Sequence, residues 1–257
     1  MSIFQSGNPT LTQKMFDNSK TIEGDIQGTM TVKGTMNKFG FLLLMLIGGA
    51  AYTWNIYDQN NPSLLKTLWY VGMFGSLGIG IFLAFKPQLS TYLAPIFAAL
   101  EGLFVGGLSA MMNDMFAEKF PGLVVTAVGL TIGVAVAMFL LYNFRIIKPT
   151  ERFKSIVSSA MLGIAVFYLI RFVLSFCGVN MPFMNFGDSS ILGIGISLFV
   201  VAISALHLIL DFERIEQGAE QNAPKFMEWY CGMGLVITLV WLYIELLRLL
   251  SRFGSKN

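Results

Sequence analysis

GLVVTAVGLTIGVAVAMFLLYNF, residues 122–144, is the stretch on which the fold turns. Its 23 residues carry no charged side chain. A helix needs about 20 mostly apolar residues to cross the hydrocarbon of a bilayer, so this one is long enough, and in water it would have no polar face to present. Working outward, three similar segments precede it and three follow. They run from Phe39 to about Tyr57, about Thr67 to Phe85, Leu89 to Met112, Phe153 to about Cys177, near Ser190 to Gly218, and from beyond Pro224 to about Arg252. Turn chemistry separates them at Asn60-Asn61-Pro62, Lys86-Pro87, Phe120-Pro121-Gly122, Lys148-Pro149 and Ala223-Pro224.

The composition agrees. Of 257 residues, 55% are hydrophobic and 12% charged, about half the roughly 25% charged of a soluble domain. The reading is an all-α polytopic membrane protein, a seven-transmembrane-helix bundle over 38–257, preceded by a polar tail over 1–37. That tail sets Asp17, Glu23 and Asp25 against Lys14, Lys20 and Lys33, and is expected to be largely disordered and cytoplasmic. It lacks the apolar core of a cleaved export signal. Cys177 and Cys231 are too few for a disulfide scaffold. A net charge of +2 gives no nucleic-acid footprint, and the single histidine argues against a His-based metal site. The seventh segment has no Lys for a retinal Schiff base, and the chain has no HExxH, GxSxG or P-loop motif. The intramembrane acids do not include the pair of Asp that an aspartyl protease would need. Neither an enzyme nor a cofactor is expected.

Lys and Arg in short loops set orientation. With the N-terminus inside, the cytoplasmic side carries Lys14, Lys20, Lys33, Lys38, Lys86, Arg145, Lys148, Arg152, Lys154, Arg214 and Lys225; the other side carries Lys66, Lys119, Arg248, Arg252 and Lys256. This favours a cytoplasmic N-terminus and an external C-terminus in a cell (inner) membrane. Tyr52, Trp54, Tyr57, Trp69 and Tyr70 suit an interfacial aromatic belt. Gly102–Gly106 and Gly129–Gly133 are GxxxG pairs, and Gly72, Gly75 and Gly78 repeat every third position; such spacing commonly packs helices together.

Ionisable groups at membrane depth cost a few kcal/mol each, which makes each a candidate site. They are Glu101, Arg171, His207, Asp211, Glu228 and Glu245. Asp211 lies roughly 10 Å from the cytosolic end of the sixth helix, with His207 one turn deeper on the same face. Glu228 enters the seventh helix roughly 6 Å from the same side. Two carboxylates brought together there would form a proton sensor. The simpler reading pairs Asp211 with Arg214 and leaves Glu228 to cap its helix. His207 joins Asp211 and Glu228 as a candidate pH-sensor and gate residue, against the simpler reading of a satisfied interior histidine. Glu245 is roughly 26 Å further along and is expected to pair with Arg171 or with Arg248. Glu101, beside Gly102, faces a polar cavity or a neighbouring hydroxyl.

Several segments resemble the Bax inhibitor-1-like, or transmembrane Bax inhibitor motif, family, and its bacterial branch with a long polar N-terminal tail. They are Ser6–Leu11, Met30–Thr35, Gly49–Trp54, Glu101–Phe104, Tyr142–Lys148, Leu210–Glu216, Ala223–Tyr230 and Val240–Tyr243. The resemblance implies seven helices with the N-terminus inside and a pH-sensitive cation leak, chiefly for Ca²⁺. It also implies an acidic pair on the sixth and seventh helices clamped by a base from the second. Asp211 matches the first acid. The end of the seventh helix aligns Thr238 with the second, whereas the longer sixth loop gives that role to Glu228. Lys86 is the nearest counterpart of the clamp, with Arg214 as the other candidate counter-ion. The expected partners are the lipid bilayer and Ca²⁺ or other cations, bound transiently at Asp211 without a resident metal. The competing reading is a non-conducting membrane regulator of a protease or stress-response partner.

Overall fold

The computed structural model describes residues 28–59, 61–178, 181 and 185–255. Among these residues seven helices form: α1 Val32–Asp58, α2 Pro62–Phe85, α3 Ser90–Phe116, α4 Leu123–Asn143, α5 Glu151–Phe176, α6 Ile191–Glu220 and α7 Met227–Gly254, with a 3₁₀ turn, Pro87–Leu89, leading into α3. All seven are long and apolar enough to cross a membrane. The described residues contain no strand, only an isolated antiparallel bridge between Thr29 and Pro224.

Local chemistry sets the helix ends. Thr31 caps α1 by accepting from the Gly34 N–H, so the helix begins at Val32 instead of Phe39 and takes in residues assigned above to the tail. Asn61 caps α2, whose first residue is Pro62, where the missing proline N–H costs nothing. Thr150 caps α5. The sixth helix does not stop at Gly218. It continues to Glu220, and the turn is made by Asn222 at φ 53°, while Ala223 N–H donates back to Gly218 O. Asparagine tolerates this left-handed conformation better than most residues. Residues 1–27 lie outside the described structure, and with them most of the expected tail.

The chain divides into two compact units, one made of the described residues of Pro9–Met112 with Asp211–Ile237, the other of those in Asn113–Leu210 with Thr238–Asn257. In the first, small residues bring backbones together. A Cβ on Gly102 would collide with Leu46 O, one on Gly106 with Ala50 O, and one on Gly72 with Leu100 O. The Gly102–Gly106 pair therefore joins α1 to α3, and Gly72 joins α2 to α3, as close packing in lipid demands. Gly129 and Gly133 instead face open space among the described atoms. In the second unit, Ile164, Val200 and Ile203 form a core with Met161, Tyr168 and Trp241 around it. Buried hydroxyls donate within their own helices, as in Ser109 to Val105 O and Thr131 to Ala127 O, which satisfies them without solvent.

Candidate functional site

Glu228 sits in the first turn of α7 with its side chain wholly buried. Four donors converge on it. Oε1 accepts from Thr31 N at 2.9 Å, Thr31 Oγ1 at 3.0 Å and Lys225 Nζ at 2.8 Å; Oε2 pairs with Lys38 Nζ. Lys38 also lies over the Trp229 ring, 5.5 Å from its centroid. Met30 N donates to Ala223 O at 2.7 Å, and a Cβ on Gly34 would overlap the Glu228 carboxylate. The entrance of α1 is thereby fastened to the loop before α7. Ser90 of α3 adds a hydrogen bond to Phe226 O at 2.9 Å.

Asp211 is also completely buried, on α6, and meets Arg214 one turn on at a looser 3.4 Å. Arg214 lies within electrostatic reach of Glu213, and the buried Cys231 thiol of α7 within reach of both Asp211 and Arg214. Of the two expected counter-ions, the structure thus brings Arg214 to Asp211. Lys86 caps α2 through its backbone, is exposed, and its ammonium forms no ion pair among the described residues. Glu101 is half-buried and faces the Ser76 hydroxyl of α2, the second of the two surroundings expected for it. His207 is buried on α6, its ring edge-on to Trp241 at 6.5 Å.

At the far end of α7, Glu245 pairs with Arg248 and not with Arg171. Arg248 Nη1 reaches the two carboxylate oxygens at 2.9 and 2.8 Å, and Tyr168 of α5 donates to Oε1 at 2.8 Å while accepting from Arg248 at 2.7 Å. The guanidinium also lies near the faces of Tyr168 and Phe186, at 5.5 and 5.1 Å. Arg171 turns instead to Asn185 Oδ1 at 3.3 Å.

Of the segments quoted above, those from Met30 onward lie within the described helices and the segments that flank them, while Ser6–Leu11 lies outside the described residues; a family profile described as Bax inhibitor 1 like matches residues 8–255. The chain belongs to the Bax inhibitor 1 like family. No curated protein and no solved structure matches it. As a Bax inhibitor 1 like protein with seven apolar helices, it is a multi-pass membrane protein whose environment is a lipid bilayer. Three residues of its charged clusters escaped sequence reasoning. Lys38 counts in the sequence only as a base on the cytoplasmic side, Thr31 only as part of a motif, and Tyr168 only as one position within the fifth apolar segment. Thr31 is of a residue type that favours helix N-caps, but nothing local pointed to a carboxylate 197 residues away.

Proposed function

We propose that this protein is a pH-sensitive cation leak of the bacterial inner membrane, conducting Ca²⁺, with Asp211 as the titrating gate. The observation that supports the reading best is a wholly buried carboxylate within a spanning helix, held to a base by a 3.4 Å contact. Such a group is costly at membrane depth and marks a site. Ionised Asp211 holds Arg214 and keeps the path closed. Protonation removes the negative charge, releases Arg214 and opens the path; the carboxylate is also a transient stop for a passing cation. The leak is therefore small at high pH and rises on acidification. Glu228, with four donors on it, is a fixed charge of the same unit and holds the α1 entrance in place. In this reading the N-terminus is cytoplasmic and the C-terminus external.

The test is Ca²⁺ flux against pH in liposomes holding the purified protein. The expected result is a flux that rises on acidification in the native protein and no longer depends on pH in Asp211→Asn. An Asp211→Asn variant with native flux and native pH response would overturn the gate. No flux from the native protein, together with capture of a stoichiometric membrane partner such as a protease, would overturn conduction in favour of a non-conducting regulator.

A further inference from the structure

The C-terminal end of α7 carries cationic donors for which the described residues provide no acceptors. Arg252 is wholly buried, yet only its Nη1 is engaged, by Asp188 O at 3.3 Å and Asp188 Oδ2 at 3.4 Å. Its Nε and Nη2 have no hydrogen-bond partner among the described residues, and neither has the buried Nε of Arg248. Nε and Nη2 form the side-on edge of a guanidinium, the fork that grips an oxyanion through two parallel hydrogen bonds. The two arginines are four positions apart on one helix and so share a face. A buried donor left without an acceptor is costly, and more so when it is charged, so three of them on one face describe a site shaped for an occupant.

The charge balance identifies the kind of occupant independently. Arg171, Arg248 and Arg252 interact electrostatically in sequence, Arg248 with each of the other two, and among the described residues they meet two carboxylates, Glu245 and Asp188. Glu245 is committed to Arg248 and Tyr168, and Asp188 Oδ2 also takes the Ser190 hydroxyl. Among these described groups one positive charge is left over. Water would answer the free hydrogen-bond donors but not this excess; an anion answers both.

We propose that Arg248 and Arg252 bind one tetrahedral oxyanion of phosphate type, held on the Nε–Nη2 edge of Arg252 with a third bond from Arg248 Nε. The phosphate belongs either to a lipid headgroup or to a free ion, and the two sources can be told apart. The full-length protein in neutral detergent is heated with inorganic phosphate or with chloride at equal ionic strength. In parallel it is heated in nanodiscs of phosphatidylcholine with or without phosphatidylglycerol. A melting temperature raised by phosphate assigns a free ion; one raised only by phosphatidylglycerol assigns a headgroup. Arg252→Lys keeps the charge but loses the fork, and is expected to weaken the effective anion by about tenfold. Asp188→Asn removes a competing negative charge from Arg252 while keeping an acceptor for its Nη1, and is expected to strengthen the response relative to its own baseline, which keeps the test open if Arg252→Lys does not fold. No stabilisation of the native protein by either anion, an undiminished response in Arg252→Lys, or a weaker one in Asp188→Asn would overturn the site.

Discussion

The two buried carboxylates of α7 are neutralised in opposite ways. Glu245 takes its charge partner from its own helix three positions on, Arg248, and uses α5 only for the Tyr168 hydroxyl. Glu228 shares one such local base, Lys225, but its other donors, Thr31 and Lys38, come from a segment more than 180 residues earlier in the chain. The first arrangement stabilises the rotamer of one helix face. The second ties the start of the bundle to its last helix, so its loss should reach much further than the carboxylate itself.

That contrast breaks most visibly at the Glu228 end. Replacing Glu228 with Ala leaves Lys38, Lys225 and Thr31 without their acceptor and is expected to cost about 3 kcal/mol, at the lower end for a broken buried pair because both lysines remain partly wetted. Thermal unfolding reads the loss, and amide hydrogen exchange should show faster exchange over residues 30–38. Gly34→Ala strikes the same point from the other side. Its methyl group would occupy the carboxylate's place, so about 1–3 kcal/mol of overpacking is expected, again with exchange concentrated in the first turn of α1. At the Glu245 end, Tyr168→Phe removes a single hydroxyl from a pair that survives without it, for about 1 kcal/mol and no change in exchange around residues 30–38. The smallest effect separates two lysines. Lys38→Met should destabilise measurably, whereas Lys86→Met, at an exposed helix end, should stay within about 0.5 kcal/mol of the native protein. Equal effects from the two would contradict the pairing described here.

How much of this was legible in the sequence follows the same division. The seven helices were, because an uncharged run such as residues 122–144 has one stable form in lipid. Pairs within one helix, Asp211–Arg214 and Glu245–Arg248, were among those read from spacing, since three positions along a helix fix who is near whom. The role of Gly102 and Gly106 was only half legible. Their spacing matched that of Gly129 and Gly133, but only the α3 pair meets a neighbouring backbone; the pattern does not say which face finds a partner. Glu228 was read for its depth and its helix, which suggested the company of Asp211. Its company is instead set by Thr31 and Lys38, and that depends on where α1 begins, through the Thr31 cap and a backbone bond from Met30 to Ala223. Local pattern carries no information about such a long-range closure.

The central claim is that, of these buried acids, Asp211 is the one whose charge governs the leak. Ca²⁺ flux against pH, measured side by side in liposomes for Asp211→Asn and Glu228→Gln, tests it most directly. The account predicts a flux independent of pH in Asp211→Asn and a flux that still rises on acidification in Glu228→Gln. The reverse pattern, with pH response kept in Asp211→Asn and lost in Glu228→Gln, would contradict it.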